Sequence, residues 1–434
     1  MSILNSDVLA SLEKQGIELP SWAFGNSGTR FRVFGTPGTP RDPYEKVADA
    51  AQVTLALLAH VADEQDVAAG AQPGSPDRPG QRQRYSVRKY RLGPYVCANL
   101  SRLSSGSVGM IRKLSFVEAM NEALTQEMER DGTIVIFGEN IRGQGRGELR
   151  GLQDAYGDDR VIDLPISEAA MTGIATGAAL AGARPIIHYQ VSSLIFPAFD
   201  QLVDQAAKLP LMLGGQAHVA ATYLIMGAGA SGGRAGQHSD NPYPYLIHAG
   251  IKTVMPSTPS DAKGLLTTAI RENDPVAFFA PVRLTAMRGP VAEKQYVIPF
   301  AQGEIKRKGR DVTVVAVGHL VGDAIATAEA LTKDDIDVEV WDPRSLLPLD
   351  RAGLATTVQK TGRVVLFDDS HRSCGFAAEL SSIIAENCFR DLKAPIKRVT
   401  RADVTIPFGQ AIEAETLPDP HRLEQAIRTV MAWE

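Results

Sequence analysis

Residues 161–189 read VIDLPISEAAMTGIATGAALAGARPIIHY. The short apolar run VIDL ends at Pro165, which has no N–H to extend a sheet ladder. Helical spacing then runs from Ser167, a favoured N-cap residue, to Gly182, suited to the turn past a helix end. PIIHY (185–189) is a second strand-like run. Strand, helix, strand in this order predicts one β-α-β unit, with parallel strands and the helix laid on a sheet face.

The same alternation extends outward. Upstream lie a helical stretch over 116–129, with Phe116, Ala119, Ala123 and Met128 among its apolar positions, and the strand candidate TIVIF (133–137). Downstream lie VAATYLIM (219–226), TVM (253–255) and VAFFA (276–280), interleaved with predicted helices over 195–208 and 258–272. A break rich in Pro, Gly and charge covers 283–302. Beyond it VTVVAVG (312–318), VEVWD (338–342), RVVLFDD (363–369) and IKRVT (396–400) alternate with helices over 321–333, 350–359 and 375–387. Strands alternating with helices predict an α/β fold of two consecutive parallel-sheet domains, 110–290 and 303–434.

Composition is compatible with that reading. The chain has 434 residues, 44% hydrophobic and 22% charged, which excludes a disordered chain, a collagen-like fibre and a disulfide-rich miniprotein. A net charge of −5 gives no reason to expect a nucleic-acid or membrane-surface partner. The longest uncharged run, 209–233, carries six glycines and is not an apolar membrane helix. Three cysteines point to a reducing, cytoplasmic setting. Residues 1–109 differ: they hold 12 Lys/Arg and 10 Asp/Glu, so the remainder carries −7. Their Gly/Pro clusters and the acid-free basic stretch 78–102 predict an extension, largely disordered or adventitious.

Ligands of open α/β sheets sit at the carboxyl ends of strands, which selects three loops. In the first, Glu168 opens a helix that is otherwise small and uncharged; it is either an acid satisfied by the helix dipole or a carboxyl set for acid–base work. In the second, Gly227, Gly229 and Gly232 match G-x-G-x-x-G, but no acid follows near residue 252 and the loop continues to His238, so a nicotinamide site lacks its second requirement. His238 is either a proton carrier or a loop histidine bonded to backbone. In the third, LFDDSHRSCGFAAEL (366–380), Ser, His and Cys are sequence neighbours without triad spacing. Cys374 and Cys388 lack a CxxC partner, so the segment reads as a loop and helix cap, with no metal site expected.

Taken together, VIFGEN (135–140), DLPISEAAMTGIATGAALAGARPI (163–186), IFPAFDQLVDQAAKL (195–209), GQHS (236–239), GIKTVMPSTPSDAKGLLTTAIRENDPVAFF (250–279) and CGFAAELSSIIAENCF (374–389) resemble the β subunit of thiamine-diphosphate-dependent 2-oxo acid dehydrogenases of the pyruvate, branched-chain and acetoin type. The resemblance implies a pyrimidine-binding domain followed by a transketolase C-terminal-like domain. It places Glu168 on the cofactor glutamate, whose carboxyl bonds a pyrimidine nitrogen and favours the imino tautomer that deprotonates the thiazolium carbon. Glu139, Ile166, Gln190 and Leu194 fall on cofactor-lining positions, with Leu194 where an aromatic ring is common. His238 falls on a histidine near the reacting carbon, suited to acyl transfer. The sequence contains neither GDG nor NN, the diphosphate–Mg²⁺ signature, so Mg²⁺ is expected on a separate α subunit in an α2β2 heterotetramer, with a lipoyl acyltransferase core as a further partner. Residues 17–53 resemble the amino-terminal region of L-rhamnose-isomerase-like sugar isomerases, with none of that family's metal-binding barrel following. Two other assignments remain: a split transketolase-like carbon-transfer enzyme, separated by product analysis, and a non-catalytic assembly subunit, separated by cofactor titration.

Overall fold

The computed structural model describes residues 111–433 apart from 144 and 231. The predicted extension, 1–109, and the isomerase-like stretch lie outside the described residues.

The strands are β1 (Ile111–Ser115), β2 (Ile134–Glu139), β3 (Val161–Leu164), β4 (Arg184–Tyr189), β5 (Thr222–Ala228), β6 (Lys252–Val254), β7 (Val276–Pro281), β8 (Arg288–Ala292), β9 (Glu304–Arg307), β10 (Val312–Ala316), β11 (Val338–Asp342), β12 (Ser345–Leu347), β13 (Val364–His371) and β14 (Lys397–Arg401). The longer helices are α1 (Phe116–Arg130), α2 (Glu168–Leu180), α3 (Pro259–Arg271), α4 (Leu320–Leu331), α5 (Arg351–Thr361), α6 (Phe376–Cys388) and α7 (Pro420–Met431).

The first sheet has the order β12-β6-β7-β5-β4-β2-β3 and the second β14-β13-β10-β11-β9. Both are parallel except at one edge, where β12 and β9 run antiparallel to their neighbours. The chain leaves β2 for β3, then crosses back over β2 to β4. The order therefore reverses between β2 and β4, and the carboxyl ends of these strands are where an open α/β sheet takes its ligand.

Period-two alternation builds the layers. On β2, Ile134 and Ile136 face one core while Val135 and Phe137 face the other. The Ile134 side is closed by α1 and α3 through Met120, Leu124, Leu265 and Ala269. Ser115 caps α1 reciprocally with Glu118: Glu118 N–H donates to Ser115 Oγ at 3.2 Å, and Ser115 N–H to Glu118 Oε2 at 2.7 Å. The Val135 side is continuous with Val315, Trp341, Leu366 and Phe376 of the second sheet and α6, so one apolar core serves both units.

Two expectations are corrected, and one strand was not expected. The segment 195–208 is not one α-helix: a 3₁₀ turn (Ser192–Ile195) precedes a π-helical turn (Gln201–Ala206), where Ala207 N–H reaches back to Leu202 O at 3.1 Å. Pro197, which lacks the N–H an α-helix requires, breaks the run. The break at 283–302 contains β8, which pairs antiparallel with β1. Finally, β12 belongs by sequence to the second unit yet pairs with β6 of the first.

Candidate active site

Glu139 ends β2 and is buried, and its Oε2 has no hydrogen-bond partner. Burial raises its pKa, the neighbouring Glu168 raises it further, and His188 opposes. Glu168 is the first residue of α2, also buried. It stands there because Pro165 ends β3 and the helix starts immediately after Ser167, whose side chain makes no cap bond. Its carbonyl accepts the Thr172 hydroxyl at 2.6 Å, and that hydroxyl is bonded in turn to Tyr189 OH at the end of β4. Gln190, next along, donates from Nε2 to the Glu139 carbonyl at 3.3 Å. The structure thus brings Glu139, Glu168 and Gln190 together at the carboxyl ends of β2, β3 and β4.

Ile166 sits on the loop between β3 and Glu168, 79% exposed, an apolar side chain offered to solvent beside two acids. Leu194 lies half-buried in the 3₁₀ turn after β4. His238 is exposed on a single helical turn, Gly236–Ser239, in the glycine loop after β5. That loop is tied to the β4 exit: Ser192 Oγ donates to Asp240 O at 2.6 Å and Ser193 Oγ donates to Gln237 O, while Gly229 N–H closes the loop on itself by donating to Asp240 O at 3.0 Å. Leu194 and His238 are therefore on adjoining segments at the same end of the sheet.

Two groups escaped the sequence reading. His188, on β4, bonds Glu148 Oε1 through Nε2 at 2.7 Å, both side chains fully buried, while His188 Nδ1 has no partner. A histidine inside the apolar run PIIHY was the available signal. Arg146 lies against the site: a Cβ on Gly227 would come 3.0 Å from Arg146 Nη2 and 3.2 Å from Gln190 O. Gly227 also holds φ +66°, so glycine is required there on two counts. Arg146 comes from a glycine-rich loop with no periodicity, and nothing local marked it.

The third candidate loop is structural. His371 Nδ1 donates to Ala402 O at 2.9 Å, Ser373 bonds Asp403, and Ser370 Oγ accepts Phe376 N–H at the start of α6. Among the described residues no group of three His, Cys, Asp or Glu side chains is placed to hold a metal ion.

An unpartnered buried carboxyl oxygen, a second carboxyl beside it, an amide and an exposed apolar side chain fit an aminopyrimidine ring, which needs polar contacts at its edge and apolar contact at its face.

Two family descriptions match the chain: the pyrimidine-binding domain of transketolase over residues 112–287 and the transketolase C-terminal domain over 301–423. The β subunit of acetoin:2,6-dichlorophenolindophenol oxidoreductase from Bacillus subtilis is 39% identical over 329 residues, covering 72% of this chain and 96% of that one. The β subunit of 2-oxoisovalerate dehydrogenase from the same organism is 36% identical, with coverage of 73% and 98%. The pyruvate dehydrogenase E1 component subunit beta of Staphylococcus epidermidis is also 36% identical, covering 73% of this chain and 99% of its own length. A solved split-gene transketolase, described as an inactive beta4 tetramer, superposes with a TM-score of 0.60 at 18% identity, covering 74% of this chain and 99% of that one; this likeness concerns the fold.

Proposed function

The chain belongs to the family of β subunits of thiamine-diphosphate-dependent 2-oxo acid dehydrogenases, and from that premise we propose how its own residues serve decarboxylation and acyl transfer. Thiamine diphosphate, when bound, supplies a carbon nucleophile for the 2-oxo group and a sink for the electron pair left by carbon dioxide. Glu168 holds the pyrimidine edge and fixes a proton at a ring nitrogen. Glu139 and Gln190 line the same edge; Ile166 and Leu194 offer apolar contact to the ring face. His238, on the glycine loop tied to the β4 exit, gives and takes the proton of the transfer step.

The observation that carries this reading is the pairing of two buried carboxyls, one with an unsatisfied oxygen, at the strand-order reversal. A buried acid without a partner costs stability, and a ligand that bonds it recovers that cost. The missing GDG and NN signatures support a separate α subunit carrying Mg²⁺, an α2β2 assembly, and docking to a lipoyl acyltransferase core. Among the described residues no helix is long and apolar enough to cross a membrane, and Cys374 and Cys388 are free thiols; with the cysteine-poor sequence, the thiols support a cytoplasmic location.

Co-purification with the α subunit, followed by assay of carbon dioxide release from pyruvate and from 2-oxoisovalerate, tests the reading. Glu168→Gln should lower turnover by at least about 10²-fold, the scale of a lost acid–base group. Equal turnover of the variant would remove Glu168 from the mechanism. Transfer of an aldehyde unit to a sugar acceptor would indicate a transketolase-like activity instead.

A further inference from the structure

The glycine loop is gripped from two sides. From the first unit, Ser193 donates to the Gln237 carbonyl, immediately before His238. From the second unit, Arg401 donates from Nη1 to the Ser239 carbonyl at 3.0 Å, immediately after it. Arg401 ends β14 and is 1% exposed. Its Nε and Nη2 both reach Asp369 Oδ1 on β13, at 3.1 and 2.8 Å. Further along the loop, Glu413 Oε2 accepts Gly233 N–H at 2.5 Å, and Arg234 forms an antiparallel bridge with Phe408.

A buried ion pair is weak evidence for stability, because desolvation offsets most of the attraction. What this pair does supply is one fixed guanidinium orientation, set by charge-assisted bonds in a dry site. The third contact of that fixed fork goes to the backbone of the residue after His238.

We propose that Arg401 is a positioning residue for acyl transfer: locked by Asp369, it fixes the Ser239 carbonyl and so holds the glycine loop that carries the His238 imidazole. The proposal rests on the reading of His238 given above. In the transfer the acyl carbon bonds one sulfur of lipoamide and the S–S bond breaks. The electron pair left behind when carbon dioxide departs reduces the disulfide, His238 protonates the second sulfur, and the acyl unit then parts from its carrier, which keeps the bonding pair, as the acyl hydroxyl returns a proton to the histidine.

Two assays on the α-containing complex separate the halves of the reaction: reduction of 2,6-dichlorophenolindophenol, which needs no lipoyl group, and acylation of lipoamide, both with the same 2-oxo acid. His238→Ala should lower the ratio of acylation to dye reduction by about 10²-fold. The double variant Arg401→Met/Asp369→Leu, which leaves no unpaired buried charge, should lower it about tenfold through kcat, with KM for lipoamide little changed, as expected when a group is displaced rather than lost. Arg401→Lys keeps the charge but not the fork, and should fall between wild type and the double variant. A wild-type ratio in the assembled double variant overturns the proposal. If the double variant does not assemble, Arg401→Lys decides: a wild-type ratio there overturns it as well. A wild-type ratio for His238→Ala instead removes the underlying role of the histidine, whatever Arg401 does.

Discussion

At Gly229 backbone and packing demand the same residue. Its φ is +86°, and a Cβ there would stand 2.8 Å from Asp369 Oδ2, a buried oxygen with no hydrogen-bond partner. The neighbours are His319, whose pKa burial lowers, and Asn241. Gly229→Ala therefore combines left-handed strain with a contact against an ion-paired carboxylate, and we expect a loss of about 1–3 kcal/mol. Urea denaturation of the complex measures it. A midpoint equal to wild type would mean that the loop relaxes freely, which would also weaken the case that it is held rigid around His238. The buried His188, bonded to Glu148, belongs to this scale too: it opposes the rise in the Glu139 pKa, so a histidine beneath the site acts on an acid that lines it.

Among the elements, β12 and the segment leading into it join the two units. Asp342 ends β11 fully buried, accepting Ser257 Oγ at 2.5 Å and Arg344 N–H at 2.9 Å. Arg344 Nη1 reaches Asp261 Oδ1 of α3 at 3.3 Å and Glu304 Oε2 of β9 at 3.1 Å; Lys306 Nζ lies 2.7 Å from Asp261 Oδ2 and 3.8 Å from Asp342 Oδ2. Burial pushes the Asp342 pKa up to about 7, with Lys306 opposing. An unfolded aspartate titrates near ~3.9. Between those values the folded state holds a proton that the unfolded state releases, so this group's contribution to stability falls as pH rises from about 4 to about 7 and is level above that. Asp261 is shifted down, so its contribution changes only at the acid end. Asp342→Asn should therefore gain stability relative to wild type as pH rises from 5 to 7, read as the difference between the two denaturation curves across that range. A difference that is flat with pH would contradict the assignment.

The whole molecule is bound together by more than its linker. The core between the sheets takes residues from both, from Val135, Phe137 and Tyr223 to Val315, Trp341 and Leu366. Together with β12 on the β6 edge, this predicts that the two units unfold as one. Thermal unfolding of residues 111–433 should show one transition with coincident far-ultraviolet circular dichroism and tryptophan fluorescence, Trp341 reporting from within the shared core. A fragment ending at residue 302, stripped of β12, Lys306 and Arg344, should show no cooperative transition. Two resolved transitions, or a fragment that folds alone, would show that the units are independent.

Much of this organisation was legible in the sequence. Strands β2 to β7, β10, β11, β13 and β14 and helices α1 to α6 follow from apolar period, proline stops and glycine ends, because those signals are local. The glycine loop stood out for the same reason, and Glu168 could be placed at a helix start after a strand. Other features carried no local mark. β12 is three residues long and takes its identity from β6, about ninety positions earlier in the chain. The π-helical turn, the His188–Glu148 pair and the Arg401–Asp369 grip on Ser239 depend on which residues meet after folding. Sequence by itself determined most of the elements, their α/β alternation and the acid at the start of α2, since their signals lie in neighbouring residues. Only the tertiary structure decided which buried charges are paired and how the second unit holds the loop of the first, since burial and charge pairing are properties of the assembled interior.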